Sequence, residues 1–262
     1  MCFELEATPP ELPASFRLNL SGAASGEDIV LTSADGTQFA AYFSRASSPN
    51  GAGIVILPDV RGLFRFYKEL ADRFASAGIQ AVTIDYFGRT AGMATRDEDF
   101  DFMSHVMQTR PETIAADVGA AVAYLRQIPD QAPRNIFTVG FCFGGSNSFM
   151  QATSSHGLSG VIGFYGAPVA SRFGRAPIDH ISEFECPVLG LFGGADQGIP
   201  VEDVEKFDKA LAAAHIEHEI VVYPGAPHSF FDRRFDEYKE ACDDAWARML
   251  TFIGRYTPGT RD

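Results

Sequence analysis

The chain has 262 residues, of which 46% are hydrophobic, 21% charged and 12% aromatic, a composition typical of a globular protein with a sizeable core. Its 34 acidic and 21 basic residues give a formal net charge of −13. A surface this acidic repels phosphate backbones and anionic lipids, so we expect neither nucleic-acid nor membrane partners. A small anionic substrate is still compatible with this charge, because nearby arginines outweigh distant charges that salt screens.

Three features predict a cytoplasmic protein. The longest apolar runs, such as 53–57 and 159–164, are far shorter than the roughly 20 residues that span a bilayer. The N-terminal residues 1–13 contain three glutamates and no basic residue, unlike a signal peptide. The four cysteines form no CxxC pair and indicate reduced thiols rather than disulfides or a metal site: Cys2, Cys142, Cys186 and Cys242.

Strand-like and helix-like segments alternate along the chain. The first two strands, at 28–32 and 38–44, are predicted to form a hairpin around the turn sequence ADG at 34–36. Short apolar runs predict six more strands, at 53–58, 80–85, 135–140, 160–165, 187–193 and 219–223. Helical spacing of apolar residues and flanking proline or glycine predict helices at 64–77, 112–127, 144–154, 201–215 and 235–256.

Strands separated by helices of this length indicate right-handed crossovers. They predict an α/β fold with a mostly parallel central sheet flanked by helices. No change of composition marks a linker, so we expect a single domain over 1–262. The one long irregular segment, 87–110, is polar and acidic with several methionines and phenylalanines. It is either a lid over a site or a solvated loop.

The most informative segment is a strand followed by the sequence GFCFGG at 140–145. This pattern is typical of a nucleophile elbow, Gly-x-nucleophile-x-Gly, with cysteine as the nucleophile. Because the nucleophile sits on a tight strand-to-helix turn, Gly140 and Gly144 leave room for the backbone. The N–H of Phe143 would lie at a helix N-terminus and serve as an oxyanion donor. The alternative is that Cys142 is a small buried residue in a tight turn.

An acid and a histidine follow Cys142 in loops after two later strands. Asp196 ends the sequence LFGGAD at 191–196, and His228 follows YPG at 223–225. Loops at the carboxyl ends of parallel strands hold the active sites of open α/β sheets. The order nucleophile, acid, histidine is that of the α/β-hydrolase fold. We therefore expect His228 to take the thiol proton and Asp196 to orient the imidazole. Taken singly, either could be an ordinary turn residue.

Together these segments resemble the dienelactone hydrolase family, the carboxymethylenebutenolidase-type α/β-hydrolases. The resemblance extends over about residues 26–256, and its motifs are GFCFGG, LFGGAD, YPG and the sequence HSF at 228–230. It implies the α/β-hydrolase fold and a catalytic triad of Cys142, His228 and Asp196. It also implies an enzyme that opens an enol-lactone through an acyl-thiol intermediate and uses no cofactor.

The resemblance assigns further residues around the nucleophile. Asp59, after the third strand, matches an acid that interacts with the resting thiol, and the N–H of Val60 matches the second oxyanion donor. Arg89, after the fourth strand, matches an arginine that binds the substrate carboxylate. The second such arginine is replaced here by Asp232, four residues after His228. Three nearby arginines could take its place: Arg61, Arg233 and Arg234.

A thiol nucleophile favours activated esters over peptides. A thiolate leaves more readily than an amine, so attack on an amide tends to revert, whereas an enol-lactone expels a stabilised enolate. We therefore predict a hydrolase of small enol-lactones or activated esters. Two alternatives stay open: a general carboxylesterase acting on uncharged short-chain esters, and a non-catalytic binding protein of the same fold. The sequence predicts no particular oligomeric state.

Overall fold

The computed structural model describes residues 7–13, 25–96, 99–169, 176–232 and 236–258. In these residues eight strands form one sheet: β1 (Ser25–Thr32), β2 (Gln38–Arg45), β3 (Ala52–Leu57), β4 (Gln80–Ile84), β5 (Asn135–Phe141), β6 (Gly160–Phe164), β7 (Val188–Gly193) and β8 (His218–Tyr223). The same residues form seven α-helices: α1 (Arg65–Ser76), α2 (Gly88–Ala91), α3 (Phe102–Val106), α4 (Pro111–Arg126), α5 (Phe143–Met150), α6 (Val201–Ala213) and α7 (Lys239–Arg255).

The strand order across the sheet is β1-β2-β4-β3-β5-β6-β7-β8. Among the described strands, β2 alone runs opposite to the other seven, pairing antiparallel with both β1 and β4. Every pair from β4 to β8 is parallel. The mostly parallel sheet and the opening hairpin are therefore confirmed. Parallel strands bring their carboxyl ends to one edge, and the loops after β3, β5, β7 and β8 meet there.

The central strands lie in the hydrophobic core. Every residue of β3, β4, β6 and β7 is buried, which explains why these segments read as continuous apolar runs. The helices pack on the sheet through one apolar side. In α1 that side consists of six residues: Phe66, Tyr67, Leu70, Ala71, Phe74 and Ala75. Among the described residues, no helix is both long enough and apolar enough to cross a bilayer.

Three predicted segments differ from the structure. The helix predicted at 144–154 changes after Met150 into a 3₁₀ turn, Gln151–Thr153. The helix predicted at 235–256 begins only at Lys239, and residue 235 lies outside the described residues. The segment predicted as irregular, 87–110, contains the short helices α2 and α3. Helices of four and five residues carry too little periodic sequence to be recognised.

Helix α7 ties the N-terminal segment to the core through Trp246. Its indole is fully buried and packs beside the rings of Phe74 and Phe231, with centroids 5.0 and 5.7 Å away. The indole Nε1 donates a hydrogen bond of 3.1 Å to the carbonyl oxygen of Pro10. Residues 7–13 are therefore anchored to the last helix.

Candidate active site

Cys142 lies on a strained turn between β5 and α5. Its backbone has φ 56° and ψ −113°, a conformation that costs a non-glycine residue about 1–3 kcal/mol. A Cβ at Gly140 would lie 1.9 Å from the carbonyl oxygen of Gly144, and one at Gly144 would lie 2.1 Å from that of Leu57. Both positions thus require glycine, for the steric reason expected of an elbow. The turn presents Cys142, which is partly exposed, at the N-terminus of α5.

Asp196 and His228 lie in the loops after β7 and β8 and are hydrogen-bonded to each other. The distance between His228 Nδ1 and Asp196 Oδ2 is 2.6 Å. The other carboxyl oxygen of Asp196 accepts hydrogen bonds from the N–H groups of Gly198 and Ile199, at 2.8 and 3.2 Å. The Asp196 side chain is 1% exposed and that of His228 is 34% exposed. A fixed, buried carboxyl group is therefore hydrogen-bonded to a histidine that solvent reaches.

The end of β6 connects the elbow with the histidine. The N–H of Cys142 donates a hydrogen bond of 3.0 Å to the carbonyl oxygen of Phe164. The next residue, Tyr165, packs its ring against the imidazole of His228, with centroids 4.9 Å apart. Tyr165 and Ser229 have φ values of +35° and +59°. Strained backbone at Cys142, Tyr165 and Ser229 thus clusters around one site, as is common at functional sites.

The loop after β3 packs against the elbow. Gly144 approaches the carbonyl oxygens of Leu57 and Pro58 so closely that a Cβ there would lie 2.1 and 2.2 Å from them. This contact brings the backbone that leads to Val60 next to the start of α5, where Phe143 lies. Asp59 is fully buried, and its Oδ1 accepts a hydrogen bond of 2.8 Å from the N–H of Arg61. The predicted oxyanion donors therefore belong to adjoining segments.

Tyr86 is a neighbour of Cys142 that the sequence does not reveal. Its hydroxyl donates a hydrogen bond of 2.7 Å to the carbonyl oxygen of Pro58. Burial raises the pKa of Tyr86 well above its ordinary value of 10.0, and the charges of Asp59, Asp85 and Cys142 raise it further. The phenol therefore stays protonated close to Cys142. Its ring also meets that of Phe143 edge to face, with centroids 5.2 Å apart.

The structure places Arg89 in a salt-bridge network rather than in an open binding position. Its Nη1 and Nη2 bind both carboxyl oxygens of Asp117, at 2.7 and 2.9 Å. Its Nε binds Asp35 at 2.8 Å, and Nη2 also binds the hydroxyl of Ser33 at 3.0 Å. A substrate carboxylate would have to displace these partners. Its donors hold α4 and the β1–β2 turn together, and the binding of a substrate carboxylate by Arg89 stays a prediction.

The other predicted arginines have different outcomes. Arg61 is 8% exposed, and its Cζ lies 5.0 Å from the ring centroid of Phe64. It follows Asp59 and Val60 directly, so it stays a candidate for contact with a substrate. Arg233 and Arg234 lie outside the described residues.

A buried ion pair anchors the segment 87–110. Arg96 and Asp85 have side-chain exposures of 2% and 0%, and their closest atoms, Nη2 and Oδ2, are 2.8 Å apart. The guanidinium also lies 4.7 Å from the ring centroid of Phe100. These contacts tie Arg96 and Phe100 to Asp85, directly after β4. Closure of the segment as a lid stays a prediction.

Asp232 is the second residue whose importance the sequence conceals. It follows Phe230 and Phe231 and is fully buried with them. Burial raises the pKa of its carboxyl group from 3.8 to about 7; the charge of Asp59 adds to the rise, and nearby Tyr165 partly offsets it. Sequence reasoning identifies Asp232 only as a replaced arginine. Its position directly after two phenylalanines was the available signal that it is buried.

A cavity of about 630 Å³ lies elsewhere, between β1, the start of α1 and residues 93–96. Cys142, Asp196 and His228 do not line it. It therefore adds nothing to the geometry around Cys142. Within the described residues, no cluster of three or more acidic, histidine or cysteine side chains is arranged to hold a metal ion.

Known proteins are similar to this chain along most of its length. The family model of the dienelactone hydrolase family matches residues 39–257. The "Putative carboxymethylenebutenolidase" of Methylorubrum extorquens is 27% identical over 97% of this chain and 89% of its own length. The protein of the same name from Salmonella typhimurium is 28% identical over 84% of each chain. The crystal structure of a "Putative Dienelactone Hydrolase" from Klebsiella pneumoniae covers 90% of this chain and 100% of its own, with a TM-score of 0.76 and 27% identity.

Proposed function

The chain belongs to the dienelactone hydrolase family, and on that premise we propose that it hydrolyses small lactones or activated esters through an acyl-cysteine intermediate. The observation that carries this proposal is the strained turn that presents Cys142 at the N-terminus of α5. This strained conformation would be of no use to a cysteine that only packs in the core. It exposes a nucleophilic cysteine to the substrate and places its thiolate at a helix N-terminus, which stabilises the negative charge. The hydrogen bond between His228 and Asp196 supplies the matching base.

The proposed reaction begins with proton transfer. His228 takes the thiol proton of Cys142 on Nε2, because Nδ1 is engaged by Asp196. The thiolate attacks the carbonyl carbon, and the negative charge that forms on oxygen is held by the N–H groups of Val60 and Phe143. When the carbon–oxygen bond of the ester breaks, the leaving oxygen takes the proton from the imidazolium.

The second half of the reaction releases the acid. A water molecule gives a proton to His228 and attacks the thioester carbonyl at the same oxyanion donors. The carbon–sulfur bond then breaks, and the sulfur of Cys142 recovers the proton from His228. For a lactone, alcohol and acid leave as one open-chain molecule. Both halves use the same three side chains, so no further group is needed for the proton balance.

Mutation of the nucleophile tests the proposal. Cys142→Ala should lower kcat for p-nitrophenyl acetate by at least about 1,000-fold, because the remaining groups cannot form an acyl enzyme. The matched control is Cys186→Ala, since burial raises the pKa of the Cys186 thiol to about 12 and leaves it unreactive. Acid-quenched wild-type enzyme should carry an acetyl group on Cys142 by mass spectrometry. A Cys142→Ala variant that keeps more than about a tenth of kcat would exclude Cys142 as the nucleophile.

A second candidate function is hydrolysis of uncharged short-chain esters. The observation that favours it is the salt-bridge network of Arg89, which leaves this arginine occupied by Asp35 and Asp117. The second carboxylate-binding arginine implied by the resemblance is replaced by the buried Asp232, and this also favours an uncharged substrate. Matched pairs of lactones with and without a carboxylate separate the two candidates. A higher kcat/KM for the carboxylated member supports the enol-lactone proposal, and the reverse supports the general esterase.

A further inference from the structure

Asp85 is a fully buried acid that follows β4 directly, at the edge of the sheet where the proposed site lies. Its Oδ1 accepts hydrogen bonds from the backbone N–H of Leu63 at 3.1 Å and from Nε of Arg96 at 3.2 Å. Its Oδ2 accepts them from the backbone N–H of Phe87 at 2.9 Å and from Nη2 of Arg96 at 2.8 Å. Because all of these partners are donors, the side chain is held as a carboxylate.

Arg96 is fixed by more than its contact with Asp85. Its Nη2 also donates to the carbonyl oxygen of Gly92 at 2.8 Å, and its Nη1 donates to that of Ala94. Its guanidinium packs over the ring of Phe100. A buried ion pair adds little stability over apolar side chains of similar volume, and in some proteins it supplies a defined geometry instead. The groups that Asp85 and Arg96 hold therefore indicate what the pair does.

The loop after β3 makes a tight turn over residues 59–62 that packs on Asp85. The N–H of Gly62 donates to the carbonyl oxygen of Asp59 at 3.2 Å, and Gly62 has a φ of +78°. A Cβ at Gly62 would lie 2.5 Å from Oδ1 of Asp85. In a turn closed by this hydrogen bond, the N–H of the second residue, Val60, is not used by the turn itself. It can therefore be offered to a substrate oxygen.

The residues on both sides of Val60 are bound by side chains from outside the turn. Before it, the N–H of Asp59 donates to the hydroxyl of Tyr67 at 3.1 Å. After it, the N–H of Leu63 donates to Asp85. An oxyanion donor must lie within hydrogen-bond distance of the oxygen that gains charge, and a misplacement of about 1 Å can lower the rate about 100-fold. The position of the Val60 N–H therefore depends on Asp85.

We propose that Asp85 is a positioning residue for this donor: it holds the turn that presents the N–H of Val60, and Arg96 holds Asp85 in place. The inference rests on the proposed function, in which this N–H binds the negatively charged oxygen. Asp85 acts through the backbone of the turn rather than on the substrate. Because an oxyanion donor stabilises only an oxygen that gains charge, loss of Asp85 should impair carbonyl chemistry at Cys142 and spare other reactions of its thiol.

Asp85→Asn tests this difference. Whichever way the amide turns, its NH₂ group meets one backbone N–H and one N–H of Arg96, so the side chain no longer holds the turn. We expect kcat for p-nitrophenyl acetate to fall by about 10- to 100-fold. Alkylation of Cys142 by iodoacetamide forms no oxyanion, and its rate should stay within about 2-fold of the wild type. Equal losses in both rates, or an unchanged kcat, would overturn the proposal.

The matched control is Asp72→Asn in α1. Asp72 is a partly buried acid that accepts hydrogen bonds from two side chains of β2, those of Ser44 at 2.7 Å and Tyr42 at 3.2 Å. Its replacement should lower the melting temperature and leave both rates unchanged. A loss of both rates in this control would mean that reduced stability alone impairs the site, and would contradict the specific role of Asp85.

Arg96→Lys keeps the proposal falsifiable if Asp85→Asn fails to fold. Lysine preserves the positive charge but lacks the planar fork that binds both oxygens of Asp85. We expect the same selective loss of kcat, smaller than in Asp85→Asn, with alkylation of Cys142 unchanged. Equal effects of Arg96→Lys on the two rates, or none on either, would overturn the proposal.

Hydrogen exchange at the N–H of Leu63, followed by NMR, separates this proposal from the proposed function. Exchange should be at least about 10-fold faster in Asp85→Asn than in the wild type, whether or not an ester is hydrolysed. Unchanged exchange in an active esterase would refute the positioning role alone. Faster exchange in the variant, with a wild type that forms no acyl enzyme on Cys142, would refute the proposed function and leave the hold of Asp85 on the turn standing.

Discussion

In the proposed mechanism Asp196 determines which nitrogen of His228 carries a proton. Its Oδ2 lies 2.6 Å from His228 Nδ1, so in that mechanism it accepts the Nδ1 proton and leaves Nε2 as the basic atom. Asp196→Asn would present an amide N–H instead and favour the wrong tautomer. We expect kcat to fall by about 1,000- to 10,000-fold, with little change in the melting temperature.

The control for this prediction is Asp203→Asn, which removes a carboxylate from the start of α6 and should retain activity. Hydrolysis of p-nitrophenyl acetate and thermal unfolding are measured for both variants. If Asp196→Asn keeps about half of the wild-type kcat, then another acid orients His228.

The burial of Asp232 predicts a pH-dependent stability. The folded protein keeps this group protonated up to about pH 7, whereas the unfolded chain loses the proton near 3.8. The contribution of protonated Asp232 to the free energy of unfolding is therefore fully present below pH 3.8. It is lost as the pH rises to about 7. A rise in pKa from 3.8 to about 7 corresponds to about 4 kcal/mol.

Asparagine in place of Asp232 has no charge to bury. The free energy of unfolding of Asp232→Asn should therefore exceed that of the wild type by about 1–4 kcal/mol near pH 8 and differ little near pH 4. Urea unfolding at a series of pH values measures the difference. A difference that does not vary with pH would show that Asp232 stays in one charge state throughout.

The residues that sequence analysis identifies best are those with local signatures. Cys142 lies between two glycines that the turn requires, and Asp196 and His228 each follow an apolar strand. Tyr86 and Asp232 have no such signature, because their roles come from neighbours distant in the chain. The substrate-binding role of Arg89 was assigned by a matching motif. A motif does not reveal that the guanidinium is already bound to carboxylates of the protein itself.

At the scale of elements, Arg89 is predicted to stabilise the fold rather than to bind substrate. It joins α2 to α4 through Asp117, whose side chain is 1% exposed. Burial raises the pKa of Asp117, and the hydrogen bonds from Arg89 offset only part of this rise. Arg89→Ala would leave this carboxylate buried without its partner, at a cost of about 3–5 kcal/mol.

Thermal unfolding and steady-state kinetics measure the outcome for Arg89→Ala. We expect a lower melting temperature and equal KM ratios, variant to wild type, for a carboxylated and a neutral ester. The control, Arg65→Ala, removes an exposed arginine that pairs with Glu69 and should have little effect. An unchanged melting temperature with a KM rise confined to the carboxylated ester would restore the substrate-binding role.

The sequence predicts the sheet well and the segment 87–110 poorly. Buried parallel strands are continuous apolar runs, so the positions of β3, β5 and β7 follow from the residues alone. The segment 87–110 is held instead by side-chain contacts such as Arg96 with Asp85. An ion pair across eleven residues leaves no periodic pattern in the sequence.

At the scale of the whole molecule, the net charge of −13 should slow the approach of anionic substrates. At low ionic strength the field of the protein extends about 30 Å, and at physiological salt only about 8 Å. Raising salt from about 10 to about 200 mM should therefore increase kcat/KM for an anionic aryl ester about 2- to 5-fold. The value for neutral p-nitrophenyl acetate, the control, should stay constant. A decrease for the anionic ester would instead indicate a local positive site, with Arg61 as its first candidate.

The chain contains one tryptophan, so its intrinsic fluorescence comes from a single indole. Trp246 is shielded from water by Phe74, Phe231 and the anchored N-terminal segment. The folded protein should therefore emit at shorter wavelength than the unfolded chain. Loss of residues 7–13 would bring water to the indole and shift the emission without unfolding the sheet. Phe231, which packs against Trp246, directly precedes Asp232. The indole is therefore close to the carboxyl group whose charge we expect to change near neutral pH.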